Sequence, residues 1–103
     1  MQGDVFAALS NPVRRRLLET LRSGPQAVND LAALFELSRP TVSEHLAVLR
    51  QAELVREERQ GRRRLYHLEA GPLEELEQWL HPFEQYWRRT LRTLSDVLDE
   101  ENP

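Results

Sequence analysis

The chain has 103 residues, of which 40% are hydrophobic and 30% are charged, and its formal net charge is -3 at pH 7. This length can bury one hydrophobic core but not two, so we expect a single domain spanning 1–103. The chain has no cysteine, which excludes disulfides and thiolate metal sites, and no long apolar run of the kind found in membrane spans and secretory signals. We therefore expect a soluble cytoplasmic protein with no membrane partner.

The charge is unevenly distributed along the chain. Residues 1–67 contain eleven arginines and eight acids, a balance of +3, whereas residues 68–103 contain three arginines and nine acids, a balance of -6. Exposed charges are screened beyond roughly 8 to 10 Å in ordinary salt, so a basic surface can bind a polyanion while an acidic segment lies elsewhere. The negative net charge therefore does not exclude nucleic-acid binding.

The first third of the chain predicts three helices. Asp4 to Leu9 is a short apolar candidate, and the next helix is expected to start at Pro12, with Asn11 as its cap, and to run to about Arg22. Asn29 is the candidate cap of a short third helix. Apolar residues on one face are predicted to be buried in the second helix (Val13, Leu17, Leu18, Leu21) and in the third (Leu31, Ala32, Phe35).

A fourth helix is predicted to follow after a tight turn, with Ser38 as its cap and Pro40 in its first turn. A short helix, a tight turn and a second helix form a helix-turn-helix. Val42, Leu46 and Leu49 are spaced as one buried face. The small polar side chains left outside suit close approach to base edges and phosphates, the alternative being an ordinary surface helix. These outer residues are Arg39, Pro40, Thr41, Ser43, Glu44 and Ala47.

Two short strands are predicted next, joined by a turn at Gln60-Gly61, with Arg62, Arg63 and Arg64 just past the tip. A basic β-hairpin directly after a recognition helix is a wing, whose arginines can reach phosphates or a narrow minor groove. The alternative is a solvated edge hairpin whose arginines prevent aggregation. The order of elements favours the wing.

The last third of the chain predicts a dimer interface within about residues 72–100. Gly71-Pro72 opens a helix, and Pro82 predicts either a kink or the start of a new helix. Beyond it, apolar residues recur at spacings of four, four, three and four, and a small fold cannot easily cover that surface alone. The alternative is packing on the first helix of the same chain. The residues of this stripe are Phe83, Trp87, Leu91, Leu94 and Leu98.

The ordered set of these features resembles the winged-helix repressors of the ArsR/SmtB family along nearly the whole chain. The matching stretches are FAALSNPVRRRLLETL, NDLAALFELSRPTVSEHLAVLRQAELV and GRRRLYHLE. The resemblance implies a mostly α fold with a small β-hairpin, a winged helix-turn-helix whose terminal helices form the dimer interface. It also implies a homodimeric transcriptional repressor that binds a palindromic operator in double-stranded DNA and responds to an effector.

The resemblance assigns the DNA-facing positions residue by residue. Glu44 departs from the more usual amide or imidazole, and a carboxylate there either specifies a cytosine or helps to exclude wrong sites. His45 lies nearer the buried face, so packing or a phosphate contact competes with base reading as its role. The positions are Ser38, Arg39, Thr41, Ser43, Glu44 and His45 on the helix, and Gln60, Arg62, Arg63 and Arg64 in the wing.

The metal-ligand motifs of the family are missing from this chain. One family site needs cysteine, and another uses an Asp-x-His pair followed, after ten intervening residues, by His-x-x-Glu or His-x-x-His. His81 and Glu84 have the second spacing, but Leu68 and Ala70 stand where the first pair should be. We therefore expect no metal site, no cofactor, and DNA binding that is indifferent to zinc and arsenite.

Other functions fit the sequence less well. The sequence has no nucleophile and base at a suitable spacing and no glycine-rich phosphate loop, so no motif in it indicates an enzyme. A winged helix that serves only as a protein-interaction module is the main alternative, and a MarR-like or PadR-like regulator would usually carry longer flanking helices. A small organic effector could bind at the dimer interface, although aromatic residues at helical spacing are more often core. Its candidate pocket residues are Trp79, Phe83, Tyr86 and Trp87.

Overall fold

A computed structural model of the chain describes residues 4–101. The helices in this range are α1 (Val5–Ala8), α2 (Pro12–Leu21), α3 (Val28–Phe35), α4 (Arg39–Gln51) and α5 (Leu73–Glu101). The strands are β1 (Gln26–Ala27), β2 (Val55–Gln60) and β3 (Arg63–Leu68). The mostly helical fold and the hairpin directly after the fourth helix are as predicted. The short strand β1, before α3, was not among the predicted elements.

Local capping signals determine where two of the helices begin. The side chain of Asn11 accepts hydrogen bonds from the amides of Val13 at 2.8 Å and Arg14 at 3.3 Å. Ser38 accepts from the amide of Thr41 at 3.3 Å. Each cap satisfies backbone donors that have no partner within the helix, and the prolines that follow occupy the first turn, where an amide is not needed. Both predicted caps are confirmed.

The start of α3 differs from the prediction. The helix begins at Val28, and Ala27 occupies its cap position without a side-chain hydrogen bond, so the predicted cap at Asn29 is wrong. The cause is β1, because Gln26 and Ala27 pair with Tyr66 and Leu65 of β3. This pairing holds the chain extended up to Ala27, and the helix starts at the next residue.

The core lies between the first four helices and the sheet. Val42, Leu46 and Leu49 of α4 are fully buried, which confirms the predicted inner face of this helix. They pack in one cluster with the buried leucines of α2 and with Leu31 of α3. Each fully buried aliphatic side chain contributes roughly 1.5 to 3 kcal/mol relative to an exposed one. Burial of the inner face therefore fixes which face of α4 points away from the protein.

The sheet has the antiparallel strand order β1-β3-β2. In the hairpin, the register runs from Val55 opposite Leu68 to Gln60 opposite Arg63, which leaves a two-residue turn. Gly61 takes a φ of 60° at the first position of this turn, a left-handed conformation that glycine adopts without steric cost. The turn brings the arginines of the hairpin to its tip.

The last helix, α5, runs without interruption through Pro82. The predicted alternative of a new helix at Pro82 is therefore wrong. Proline lacks an amide and its ring crowds the carbonyl of Gln78 one turn earlier, which is left without its helical partner. Gln78 is exposed, so water can hydrate that carbonyl, and the helix continues.

The first turns of α5 pack against α1. The rings of Phe6 and Trp79 meet edge to face with their centroids 5.8 Å apart, and Trp79 lies 5.0 Å from Phe83. The alternative of packing on the first helix of the same chain is therefore realised at this end of α5. None of the helices within residues 4–101 is long and apolar enough to cross a membrane.

Candidate nucleic-acid interface

A groove of about 540 Å³ separates α4 from the hairpin. We call the hairpin, residues 55–68, the wing, and the space beside it the arginine groove. Its walls are the N-terminal ends of α3 and α4 and the tip of the wing, and it collects four guanidinium groups on one side of the molecule. The groove is lined by Ala27, Val28, Asn29, Asp30, Arg39, Ser43, Arg62, Arg63, Arg64 and Tyr66.

The outer face of α4 presents small polar side chains at its N-terminal end. Arg39, Ser43 and Glu44 are exposed, and Thr41 is half-buried. The hydroxyls of Ser38 and Thr41 are hydrogen-bonded to each other at 2.8 Å. These two hydroxyls therefore shape the start of the helix, and the more exposed side chains are free to reach outward.

His45 lies on the border between the outer face and the core, as predicted, being half-buried beside exposed Glu44. Its Nδ1 is 3.5 Å from a terminal nitrogen of Arg14. Arg14 is itself held on the end of α1, where it donates to the carbonyls of Ala8 at 2.6 Å and Ala7 at 3.1 Å. A guanidinium only donates, so Nδ1 is oriented as an acceptor and the proton of a neutral ring lies on Nε2.

The wing arginines differ in their partners. Arg63 forms an ion pair with Asp30 of α3 at 2.9 Å, and Arg64 lies 3.4 Å from Glu57 of β2. Arg62, in the turn, is exposed and forms no ion pair within residues 4–101. Gln60 is exposed at the end of β2. Of the three arginines past the tip, Arg62 is thus the one that can reach a phosphate without first leaving an ion pair with the described residues.

Glu57 joins the wing to α4. Its carboxylate accepts from Arg50 of α4 at 3.0 Å and from the Tyr66 hydroxyl at 3.4 Å, and it is close to Arg64. Burial, and then the negative charge and hydrogen bond of Glu57, raise the pKa of Tyr66 above 10.0. No local sequence pattern marks Glu57, because its role depends on the strand register that places it opposite Tyr66.

The exposed side of α5 carries the predicted apolar stripe. The five stripe residues, Phe83, Trp87, Leu91, Leu94 and Leu98, are between 47% and 63% exposed. Tyr86 and Val97 extend the same surface. Of the four candidate pocket aromatics, the structure brings Trp79 and Phe83 into contact, while Tyr86 lines a separate shallow hollow with Leu94 and Val97.

The histidines do not gather with carboxylates into a metal centre in the part of the chain that the structure describes. His81 Nε2 contacts the Gln85 side chain at 3.3 Å. His67 Nε2 lies 2.7 Å from one carboxylate oxygen of Glu58, on the opposite strand of the wing. Neither pair has the third ligand that a closed zinc site needs.

Comparison with known proteins identifies the family. Residues 11–57, which include the helix-turn-helix and the start of the wing, match the family described as bacterial regulatory protein, arsR family. The transcriptional repressor SdpR of Bacillus subtilis is 36% identical over 81 residues, which cover 79% of this chain and 90% of the relative. The HTH-type transcriptional regulator Rv2034 of Mycobacterium tuberculosis is 39% identical over 96 residues, covering 93% of this chain and 87% of the relative.

Solved structures agree with the sequence relatives. An ArsR family transcriptional regulator superposes with a TM-score of 0.70 at 34% identity, covering 81% of this chain and 86% of the other. A possible transcriptional regulator for arsenical resistance superposes with a TM-score of 0.68 at 40% identity, covering 87% and 92%. The predicted family, the winged-helix fold and the class of transcriptional regulator rather than enzyme are confirmed. The chain therefore belongs to the ArsR family and is a DNA-binding transcriptional regulator.

Proposed function

We propose that the protein is a homodimeric repressor that binds a palindromic operator. In this proposal α4 enters the major groove with Arg39, Thr41, Ser43 and Glu44 toward the base edges, while the wing follows the adjacent backbone. The arginine groove supports this arrangement, because it places four guanidinium groups beside the exposed end of α4. Phosphate contacts of this kind supply affinity that falls steeply with salt.

The main support for a homodimer is the exposed apolar stripe on α5. The core of the chain is filled without these side chains, since its buried cluster is built from α1 to α4 and the wing. A row of exposed leucines and aromatics along one helix is a contiguous apolar surface of the kind that marks protein–protein contacts. In the proposed dimer, the same apolar stripe of a second copy covers it. The two-fold axis of that dimer then relates the two α4 helices to each other.

The division of the chain follows from this proposal. The whole of 1–103 acts as one winged-helix domain, with residues of about 72–100 as its dimerisation segment. A two-fold dimer places its α4 helices on half-sites about 34 Å apart, which is one turn of DNA. The site of action is the cytoplasm, where bacterial DNA lies.

The acidic tail is compatible with DNA binding under this arrangement. The acids of α5 lie on the helix proposed to dimerise, whereas seven of the fourteen arginines lie on α4 and the wing, so screening separates the two surfaces. Asp30, which lines the arginine groove, is one exception, and Glu44 is another, because it is exposed on the face proposed to meet DNA. We assign it to a cytosine amino group in the operator, with repulsion from phosphate where that base is absent.

We propose that a small organic effector binds at the aromatic contact between α1 and α5. Phe6, Trp79 and Phe83 form a chain of touching rings at the end of α5 nearest the winged-helix core. A planar apolar ligand can stack on such rings, and the partner copy would complete the pocket. Binding there would act on α1, which Arg14 links to His45 of α4.

The experiment that tests the proposed function combines light scattering with DNA binding. Leu94→Glu places a charge within the stripe, and Gln85→Glu adds the same charge on the opposite face of the helix as its control. We expect dimers for the unmodified protein and for Gln85→Glu, and monomers for Leu94→Glu. The monomer should bind a fluorescent fragment of the protein's own promoter at least tenfold more weakly. An unmodified protein that is monomeric, or that does not bind DNA, contradicts the proposal and favours a protein-interaction module.

A further inference from the structure

An acidic residue is held within the surface proposed to bind a polyanion. Asp30 lies in the first turn of α3 and lines the arginine groove together with Arg39, Arg62 and Arg63. Its carboxylate accepts a 2.9 Å hydrogen bond from a terminal nitrogen of Arg63, 33 positions later in the chain. The pair links the helix-turn-helix to the first residue of β3.

The same guanidinium cannot serve both anions fully. Carboxylate and phosphate offer arginine similar oxygen acceptors, so Asp30 and a DNA phosphate compete for the donors of Arg63. The side chains of Arg63 and Asp30 are 64% and 57% exposed. An exposed pair of this kind adds little to folding stability and can open at small cost.

A role in starting α3 does not account for the pairing. An acid in the first helical turn is favourable through the helix dipole. That effect requires only a negative charge near the exposed amides and makes no use of an arginine from the wing. The contact with Arg63 therefore needs a separate explanation.

We propose that Asp30 lowers the affinity of the protein for DNA by competing with phosphate for Arg63. In the free protein Asp30 occupies Arg63, whereas Arg62 beside it has no such competitor among the described residues. On non-operator DNA, where phosphate contacts supply essentially all the affinity, the pair stays closed and Arg63 does not bind a phosphate. On the operator, base contacts draw α4 deeper, so a phosphate reaches Arg63 and displaces Asp30. This inference rests on the proposed DNA interface.

The test is a double-mutant cycle between Asp30→Asn and Arg63→Gln, with fluorescence anisotropy on a random duplex and on the promoter fragment. Asp30→Asn should bind the random duplex up to about fivefold more tightly, with a salt dependence steeper by up to about 0.9 in log–log slope. Operator affinity should rise at least as much, because the unmodified protein must break the Asp30–Arg63 pair to bind there, so the specificity ratio should not fall. In the Arg63→Gln background the effect of Asp30→Asn should disappear.

Two control variants separate this inference from its alternatives. Asp96→Asn removes the same charge from exposed α5 and should leave both affinities within about twofold. Arg62→Ala tests the wing itself. The inference about Asp30 is wrong if Asp30→Asn does not tighten DNA binding, or tightens it equally in the Arg63→Gln background. If Arg62→Ala nevertheless weakens binding, the role of the wing in DNA binding is still supported. If Arg62→Ala also has no effect, the proposed interface fails, and this inference with it.

Discussion

Arg50, in the last turn of α4, donates a 3.0 Å hydrogen bond to the carboxylate of Glu57 on the first strand of the wing. The side chain of Glu57 is only 18% exposed, so this carboxylate is largely withdrawn from solvent. The two elements proposed to contact DNA are thus joined by a specific pair as well as by the core.

Loss of the Glu57 charge should loosen this junction. Glu57→Gln keeps the size of the side chain but weakens its interactions with Arg50 and Arg64, and we expect a loss of about 1 kcal/mol in unfolding free energy. This figure is reduced for screening, because the arginines are largely exposed. Urea unfolding measures it, with Glu69→Gln, which removes an exposed ion pair to Arg56, as the control. An equal loss of unfolding free energy in both variants would contradict a role for Glu57 in stabilising the contact between α4 and the wing.

Alkaline pH should destabilise the fold through Tyr66. Burial and the charge of Glu57 raise its folded pKa above the unfolded value of 10.0. The unfolded chain therefore loses the proton first, so the contribution is intact below pH 10 and is lost as pH rises through the folded pKa. Unfolding free energy measured from about pH 8 to 11 should fall less steeply in Tyr66→Phe.

The local signals in the sequence are sufficient to predict much of the fold. Asn11 and Ser38 cap their helices through neighbouring amides, and Val42 faces the core through simple helical periodicity. β1 cannot be found in this way, because two residues carry no strand pattern and their partner, Tyr66, lies far along the chain. The error at Asn29 follows from the missed strand.

The candidate site likewise has features that local sequence predicts and features that depend on tertiary packing. The exposed face of α4 and the arginines of the wing can be predicted from spacing and order, because both follow from local periodicity and the glycine turn. The partners of those arginines cannot. Asp30 reaches Arg63, and Glu57 reaches Arg50 and Arg64, only after tertiary packing brings distant segments together. The path of the chain at Pro82 is a similar case, because a proline in a helical pattern is compatible with a break, a kink or a continued helix, and α5 continues.

Arg62 should supply affinity that is independent of sequence. It stands in the turn of the wing without an internal ion pair in the described part of the chain, so Arg62→Ala should weaken binding to operator and random duplex alike. The log–log salt slope should decrease by about one for each phosphate that a chain no longer neutralises. Anisotropy titrations at several salt concentrations measure both quantities. A weakening confined to the operator would identify Arg62 as a base reader instead.

Glu44 should act on sequence preference. Glu44→Ala removes an exposed carboxylate from α4, and we expect relaxed preference at one base pair of each half-site, with discrimination there reduced by about 1 to 3 kcal/mol. Binding to random DNA should be unchanged or tighter, since a negative charge is removed. Selection of bound sequences from a randomised operator library measures the preference. An unchanged preference at every position would leave Glu44 without a role in reading bases.

The central claim is that two copies of this chain read one operator through α4 and the wing. The most direct measurement is the mass of the operator complex by light scattering, with a duplex that carries both half-sites. We predict one duplex and two chains, and the same duplex with one half-site scrambled should bind markedly more weakly. A stable complex of one chain per duplex, with affinity indifferent to the second half-site, would contradict the account.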